Sequence, residues 1–222
     1  MKKTVIINRA ISGSGKTTMT NCIVRKLQFE NISVSVHSTD NFFIIDGKYI
    51  FDFDKLGTYH QENFKKFKQS IENNIDVVIC DNTNIAPWET EVYTKLAREY
   101  NYQILIITFD PRELEEHILS QRITKENPNA HGVNEEVLKN MIRRYYVFDD
   151  LLNPNIVVNL NKHINYTWDK ERKEREERVE RVDIQISKHF DSDFVIRVTP
   201  DDFKEYHVVM EEQILKILEN GE

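Results

Sequence analysis

One segment, Ala10-Ile-Ser-Gly-Ser-Gly-Lys16-Thr17-Thr18, constrains the fold of this chain more than any other stretch. It follows a run of β-branched residues and opens a helical pattern. Backbone N–H groups at such a strand–loop–helix junction surround an anion, and the helix N-terminus favours negative charge. The alternative is a Gly/Ser turn that only caps a helix. Because both flanking elements are present, the sequence predicts a phosphate-binding loop.

The segment matches the Walker A pattern, Gly-x4-Gly-Lys-Ser/Thr, except that Ala10 replaces the first glycine. A methyl group is tolerable there if the other two glycines make the close approach to phosphate. Lys16 is expected to reach the β- and γ-phosphates, and the Thr17 hydroxyl to bind Mg²⁺. The predicted nucleotide-binding residues are Ser12, Gly13, Ser14, Gly15, Lys16, Thr17 and Thr18.

Short β-branched runs alternate with longer helical patterns along the chain, which predicts an α/β fold with a parallel sheet flanked by helices. The predicted strands cover residues 4–8, 33–37, 77–80, 103–109 and 155–160. The predicted helices cover residues 16–30, 61–73, 88–100, 112–123 and 135–148.

The composition changes after about residue 160. Residues 161–222 hold 11 Lys+Arg and 16 Asp+Glu, so they carry −5 of the net charge of −7. Opposite charges four residues apart predict an exposed helix over 169–178, followed by a strand over 193–198 and a helix over 203–218. We therefore expect a phosphate-binding domain over 1–160 and an acidic C-terminal α/β appendage over 161–222.

Charge and cysteine content exclude several classes of function. A net charge of −7 over 222 residues argues against a protein that coats duplex DNA, although a local basic channel stays possible. Cys22 and Cys80 lack C-x-x-C spacing and lie in apolar patterns, which predicts reduced thiols in a cytoplasmic protein. No apolar run is long enough to span a bilayer, and the N-terminus does not have the pattern of a signal peptide.

Two carboxylates lie where predicted strands end. Asp40 follows the second strand, where an α/β sheet opens toward the phosphate crevice and a carboxylate can take the proton of an attacking hydroxyl. An Asp that caps the turn is the alternative. Asp81 ends the next strand and is expected to orient a Mg²⁺-bound water beside Thr17. Asn82-Thr83-Asn84 follow and can bond to either nucleotide or acceptor, or form a turn.

Residues 112–148 predict a helix–loop–helix that can fold over the phosphates as a lid. Arg122 is the candidate cation for charge that develops on a transferred phosphoryl group. A surface arginine is the alternative.

Taken together, residues 4–150 resemble the polynucleotide-kinase-like P-loop family, which includes the 5′-hydroxyl kinase half of phage end-repair enzymes and kinase-like domains attached to ubiquitin-ligase-binding proteins. The resemblance rests on motifs in the same order. These are Arg9 with the loop, Ser38-Thr39-Asp40-Asn41-Phe42-Phe43, Tyr49-Ile-Phe51-Asp52, Leu56 with His60, Asp81-Asn82-Thr83-Asn84 with Trp88-Glu89, and His131-Gly132-Val133 with Met141 and Arg144-Tyr145.

The resemblance implies a P-loop NTPase/kinase fold and assigns roles to single residues. Asp40 falls on the family's general base, Lys16 and Thr17 on its phosphate and Mg²⁺ contacts, and Arg122 on its lid arginine. The Asp81–Asn84 motif lines the crevice near metal and acceptor. His60 falls on a family histidine, for which packing against a helix is the alternative to acceptor binding. The expected acceptor-binding residues are Thr83, Asn84, Phe43 and His60.

Two positions depart from the end-repair kinases. Phe43 stands where they have an arginine that clamps the 3′-phosphate of the acceptor, and Glu126 replaces a second lid arginine. Loss of a phosphate clamp is expected to lower affinity for a polynucleotide and to spare phosphoryl transfer. Phe42 or Phe43 could instead stack on a base, or be a buried aromatic. Both departures concern the acceptor rather than the reaction type.

The sequence thus predicts a kinase that transfers the γ-phosphoryl group of ATP or another NTP, with Mg²⁺, to a hydroxyl. The favoured acceptor is the 5′-hydroxyl at a nucleic-acid end, and no membrane partner is expected. One alternative keeps the reaction but changes the acceptor to a nucleoside, a modified DNA base or a sugar nucleotide. Another is a nucleotide-dependent regulatory module whose working surface is the acidic tail.

Overall fold

A parallel sheet of six strands forms the centre of the part of the chain that the computed structural model describes, which is residues 1–122, 130–152, 157–159, 189–199 and 207–220. Its strand order is β2-β5-β1-β6-β8-β7, and every neighbouring pair is parallel. These strands are β1 (Thr4–Arg9), β2 (Val34–His37), β5 (Val77–Cys80), β6 (Gln103–Phe109), β7 (Val157–Asn159) and β8 (Phe194–Val198). A small antiparallel hairpin of β3 (Ile44–Ile45) and β4 (Lys48–Tyr49) follows β2.

Helices cover both faces of the sheet. They are α1 (Lys16–Phe29), α2 (Phe53–Glu72), α3 (Pro87–Glu99), α4 (Leu114–Ser120), α5 (Glu135–Val147) and α6 (His207–Asn220). One face packs against Met19 and Ile23 of α1 and Ile214 of α6, and the other against Phe67 of α2 and Tyr93 of α3. Because each side chain of β1, β5 and β6 is buried on one face or the other, these strands contain uninterrupted apolar runs, at residues 5–7, 77–80 and 104–107.

The predicted α/β fold with a mostly parallel sheet is confirmed. The helix predicted over 61–73 begins earlier, at Phe53, because the Asp52 carboxylate accepts a hydrogen bond of 3.0 Å from the Asp54 backbone and caps the N-terminus. Its first turns carry exposed side chains such as Phe53, so the apolar stripe that marks a helix is absent there. The helix predicted over 112–123 is shorter, ending at Ser120.

The C-terminal elements differ from the predicted appendage. β8, predicted as a strand over 193–198, inserts in parallel between β6 and β7 of the main sheet. The helix predicted over 203–218 is α6, which buries Ile214, Ile217 and Leu218 in the same core as α1. The boundary at residue 160 therefore does not separate these elements from the sheet, and the predicted charged helix over 169–178 lies outside the described residues. Within those residues, no helix has the length and apolar character needed to cross a membrane.

Candidate functional site

The phosphate-binding loop connects β1 to α1 at the carboxyl end of the central strand. Gly13 and Gly15 have φ of 81° and 83°, a region that favours glycine. A Cβ on Gly13 would also lie 2.3 Å from Ser120 Oγ. Ala10, by contrast, is buried in the core and its N–H donates to the Thr83 carbonyl at 2.8 Å. Ala10 is not among the described residues with positive φ, so the departure from the glycine pattern costs no backbone strain.

Asp81 at the end of β5 is bonded to the first turn of α1. The Thr17 hydroxyl donates to Asp81 Oδ2 at 3.0 Å, and Lys16 Nζ lies 3.8 Å from Asp81 Oδ1. The Asn8 amide donates to Asp81 Oδ1 at 2.7 Å and also to Thr20 Oγ1. Asp81 is buried, so these bonds fix its carboxylate against the loop. Asn8 had no predicted role, since an amide inside a strand pattern carries no local signal.

The donor set beside the loop fits Mg²⁺. A hydroxyl and a carboxylate lie next to each other at Thr17 and Asp81, and Mg²⁺ bound to nucleotides takes few protein ligands besides phosphate oxygens and water. No group of three or more His, Cys, Asp or Glu within the described ranges could hold a metal by protein ligands alone.

Asp40 lies in a short 3₁₀ helix, Thr39–Phe43, that follows β2. The turn is fixed to the end of β5, because the Thr39 N–H donates to Asn82 Oδ1 at 2.9 Å. The Tyr49 hydroxyl donates to Asp40 Oδ1 at 3.3 Å, and His131 Nδ1 lies 3.7 Å from Asp40 Oδ2. The Asp40 side chain is 36% exposed, so the carboxylate can still receive a substrate hydroxyl.

His131 connects Asp40 electrostatically with the phosphate-binding loop. Its ring stacks on Tyr49 with centroids 4.2 Å apart. Burial lowers the pKa of His131, and the charges of Asp40, Lys16 and Asp81 all act on the same imidazole. The candidate base Asp40 and Lys16 of the loop therefore belong to one cluster of side chains around His131. Tyr49 and His131 belong to motifs of the family resemblance, but the sequence alone assigns them no role. Their position beside Asp40 becomes visible only in the fold, which brings the two distant segments into contact.

Helix α4 packs directly on the phosphate-binding loop. The Arg112 N–H donates to His117 Nε2 at 3.0 Å, so the ring proton lies on Nδ1 and donates to the Ser12 carbonyl at 3.0 Å. The Ser12 hydroxyl donates to Gln121 Oε1 at 3.0 Å. Arg122 comes next in the chain and is exposed, at the end of the first helical segment of the predicted lid. Residues 123–129 of that lid, including Glu126, lie outside the described residues.

The buried His117 is expected to make folding depend on pH. Burial lowers its pKa from 6.5 to about 4. Between these two pH values the imidazole is protonated in the unfolded chain and neutral in the folded chain. Its contribution to stability is present above pH 6.5 and is lost as the pH falls toward 4. Between pH 7 and pH 5 the loss is expected to be about 2 kcal/mol. Urea unfolding of wild type and of His117→Gln at both pH values measures it.

When the pH is lowered from 7 to 5, the free energy of unfolding of His117→Gln should decrease less than that of wild type. The exposed His189 provides the control, and His189→Gln should keep the wild-type slope. Equal slopes for wild type and His117→Gln would contradict the assignment of a neutral, buried imidazole at the loop.

Phe43, expected at the acceptor, is only 1% exposed, which agrees with the alternative of a buried aromatic. Its ring packs against Phe51 and Tyr59, with centroids 5.1 and 4.8 Å away. Phe42 is half-buried, stacks on Tyr59 at 5.5 Å and has Lys66 Nζ 4.5 Å from its centroid. The sequence could not decide which of two adjacent aromatics points inward, because a 3₁₀ turn has no apolar repeat of its own.

The remaining predicted acceptor residues lie together beyond Asp81. Asn84 is buried and its amide donates to the Asn8 carbonyl at 2.8 Å, so it also holds the loop that follows β5. His60 Nδ1 lies 3.1 Å from Thr39 Oγ1, and burial lowers the pKa of its imidazole. Thr83 is half-buried. His60, Thr83 and Asn84 line one cavity of about 440 Å³.

Comparison with known proteins identifies relatives of this architecture. Over 150 residues, 65% of this chain, it is 33% identical to NEDD4-binding protein 2 of Homo sapiens, but it spans only 8% of the length of that relative. A candidate kinase from Chloroflexus aurantiacus has the same fold, with a TM-score of 0.58 over 97% of this chain and 98% of its own, at 11% identity. Kti12 of Chaetomium thermophilum, solved with ADP-AlF3, gives a TM-score of 0.52 over 96% and 98%, at 12% identity.

The model of the AAA domain family matches residues 5–148, which include the phosphate-binding loop, Asp40, Asp81 and α5. The match covers well over half of the chain. The chain therefore belongs to the AAA domain family and carries a P-loop kinase-like nucleotide-binding domain.

Proposed function

We propose that this chain is a kinase that transfers the γ-phosphoryl group of ATP to a hydroxyl, and that the acceptor is the 5′-hydroxyl of DNA or RNA. The observation that carries the proposal is one cluster of side chains. In it, His131 Nδ1 lies 3.7 Å from the Asp40 carboxylate, and the charges of Lys16 and Asp81 act on the same imidazole. A binding module has no need of an accessible carboxylate beside its phosphate loop. A phosphotransferase does, because the attacking hydroxyl must lose a proton.

The proposed reaction uses these groups as follows. Asp40 accepts the proton as the acceptor oxygen bonds to the γ-phosphorus and the bond to the bridging β,γ oxygen breaks. ADP leaves, and Asp40 returns its proton to solvent. Lys16 and the N–H groups of the loop hold the phosphate oxygens, while Arg122 meets the charge on the transferred group. The Tyr49 hydroxyl orients the Asp40 carboxylate, and burial raises the pKa of Tyr49 so that it stays a donor.

Thr17 and Asp81 are the residues that would hold Mg²⁺, Thr17 directly and Asp81 through water. When bound, the metal neutralises charge on the β- and γ-phosphate oxygens. Asp81 also fixes the orientation of the Thr17 hydroxyl through their hydrogen bond.

The nucleic-acid acceptor rests on the order of motifs shared with polynucleotide-kinase-like proteins. A different acceptor is the second candidate, and a specific observation favours it. Phe43 occupies the position of the phosphate-clamping arginine and is buried, so this position supplies neither a cation nor an exposed ring. The phosphate of a polynucleotide therefore lacks that anchor, whereas the machinery of phosphoryl transfer is unaffected.

Incubation with γ-labelled ATP, Mg²⁺ and 5′-hydroxyl oligonucleotides tests the proposal, with DNA and RNA of one sequence in parallel. The same oligonucleotides carrying a 5′-phosphate are the matched controls. We expect label on the 5′-hydroxyl acceptors and none on the controls. Label on a nucleoside or sugar nucleotide but on neither oligonucleotide would replace the proposed acceptor with the second candidate.

A further inference from the structure

The cavity of about 440 Å³ lies between α2, α3 and the loop after β5. Its apolar wall is formed by Phe64 of α2 and by Val92 and Tyr93 of α3. Phe64 and Tyr93 meet edge to face with centroids 5.6 Å apart, which fixes the shape of this wall. The volume lies within the range of pockets that enclose small organic ligands.

The cavity adjoins the candidate general base. Two of its lining residues, His60 and Asn82, are hydrogen-bonded to Thr39, which immediately precedes Asp40. The charge of Asp40 also acts on the His60 imidazole. The cavity is therefore attached, through Thr39, to the turn that carries the proposed base.

The chemistry of the lining selects a neutral ligand. None of the described residues that line the cavity is Lys or Arg, the side chains that bind phosphate. Glu89 is its acidic member, and it forms an ion pair with Arg144 while its other oxygen accepts from the Ile85 N–H at 2.7 Å. The lining also contains polar side chains beside the apolar wall, among them His60, Gln61 and Thr83. An aromatic ring with hydrogen-bonding edges suits this combination, and a phosphate does not.

We infer that this cavity binds the base of the acceptor's terminal nucleoside, so that the acceptor is recognised through a neutral ring rather than through its 3′-phosphate. The inference rests on the proposed function, since it names what carries the hydroxyl that faces Asp40. It also accounts for a buried Phe43, because a site that grips the base does not require a phosphate clamp beside the general base.

Photocrosslinking tests the cavity without requiring turnover. The probe is 5-iodo-2′-deoxyuridine, added with Mg²⁺ and a saturating non-hydrolysable ATP analogue that occupies the donor site. We expect crosslinked peptides from α2 and α3 around Phe64 and Tyr93. Val92, which is 50% exposed, can be replaced by Trp to fill the cavity from its rim, and Val137 on α5, 47% exposed, gives the matched control.

Val92→Trp should reduce the crosslink by about tenfold, the effect of losing one stacked base, and Val137→Trp should leave it at the wild-type level. A crosslink that maps outside α2 and α3, or one that is equal in both variants, would overturn the inference.

Acceptor kinetics separate this inference from the proposed function. Thymidine and thymidine 3′-monophosphate should have kcat/KM values within about threefold of each other, and an oligonucleotide with an abasic 5′-terminal sugar should be worse than the intact one by about tenfold or more. Dependence on the 3′-phosphate, or an abasic end used as well as an intact one, would overturn the inference. Absence of transfer to every acceptor, with the crosslink retained in α2 and α3, would overturn the kinase proposal and support the cavity as a nucleoside site.

Discussion

Asp40→Asn is expected to lower phosphoryl transfer by about 10²- to 10⁴-fold while ATP binding stays close to wild type. The amide has the shape of the carboxylate and can still accept the hydrogen bond of 3.3 Å from the Tyr49 hydroxyl. It cannot take a proton from the acceptor. In the proposed mechanism ATP is held by the loop and Lys16, which the substitution does not touch. The loss should therefore appear in kcat rather than in the affinity for nucleotide.

Single-turnover transfer and equilibrium binding of ATP measure the two effects separately. Asp46→Asn is the matched control, because Asp46 is exposed in the β3–β4 turn with φ of 50°, a conformation that Asn adopts readily. It should transfer at the wild-type rate. If Asp40→Asn transferred as fast as Asp46→Asn, another group would have to be the base.

Arg9→Leu is expected to destabilise the fold by about 3–5 kcal/mol, the cost of removing one partner of a buried ion pair. Arg9 is fully buried at the end of β1, where it lies 3.0 Å from Asp149 Oδ1 and 3.8 Å from the Tyr145 ring centroid. It donates to the Tyr145 carbonyl at 2.7 Å and the Ile85 carbonyl at 3.2 Å. Leucine would leave these acceptors without a donor and the buried Asp149 with less compensating charge.

Urea unfolding measures the loss of stability, and the same substitution at a second arginine, Arg98, is the control. Arg98 forms ion pairs with Asp191 and Asp193 at the surface, with 38% of its side chain exposed. Because exposed ion pairs contribute about 0–1 kcal/mol, Arg98→Leu should cost far less than Arg9→Leu. Equal losses in the two variants would show that burial of the Arg9 network does not stabilise this fold.

The parts of the fold that follow from short-range patterns could be predicted from the sequence. β1, β5 and β6 each contain an uninterrupted apolar run, and the loop before α1 has its glycines where the backbone needs positive φ. The position of β8 between β6 and β7 could not be predicted, since it depends on pairing with a strand about 90 residues earlier. The charged stretch that follows residue 160 suggested a separate unit, whereas α6 buries its apolar face on the main core.

The residues of the candidate site could also be predicted only in part. Lys16, Thr17 and Asp81 were predicted from motif spacing, and the structure brings their side chains together. His131 and Tyr49 could not be assigned, because their stacking joins segments about 80 residues apart.

Arg9 shows the corresponding limit for structural residues. A cation that follows a strand is usually exposed, and only the enclosed contacts with Asp149 and Tyr145 reveal that it holds β1 to α5 and the turn after it.

The central claim is that the cluster around Asp40 transfers a phosphoryl group rather than merely binding or hydrolysing ATP. The partition of γ-label between a 5′-hydroxyl oligonucleotide and free phosphate, measured for wild type and Asp40→Asn, tests it most directly. We predict label on the 5′ end with wild type and almost none with the variant. Label found only as free phosphate, at equal rates in both proteins, would contradict the assignment of this site as a kinase centre.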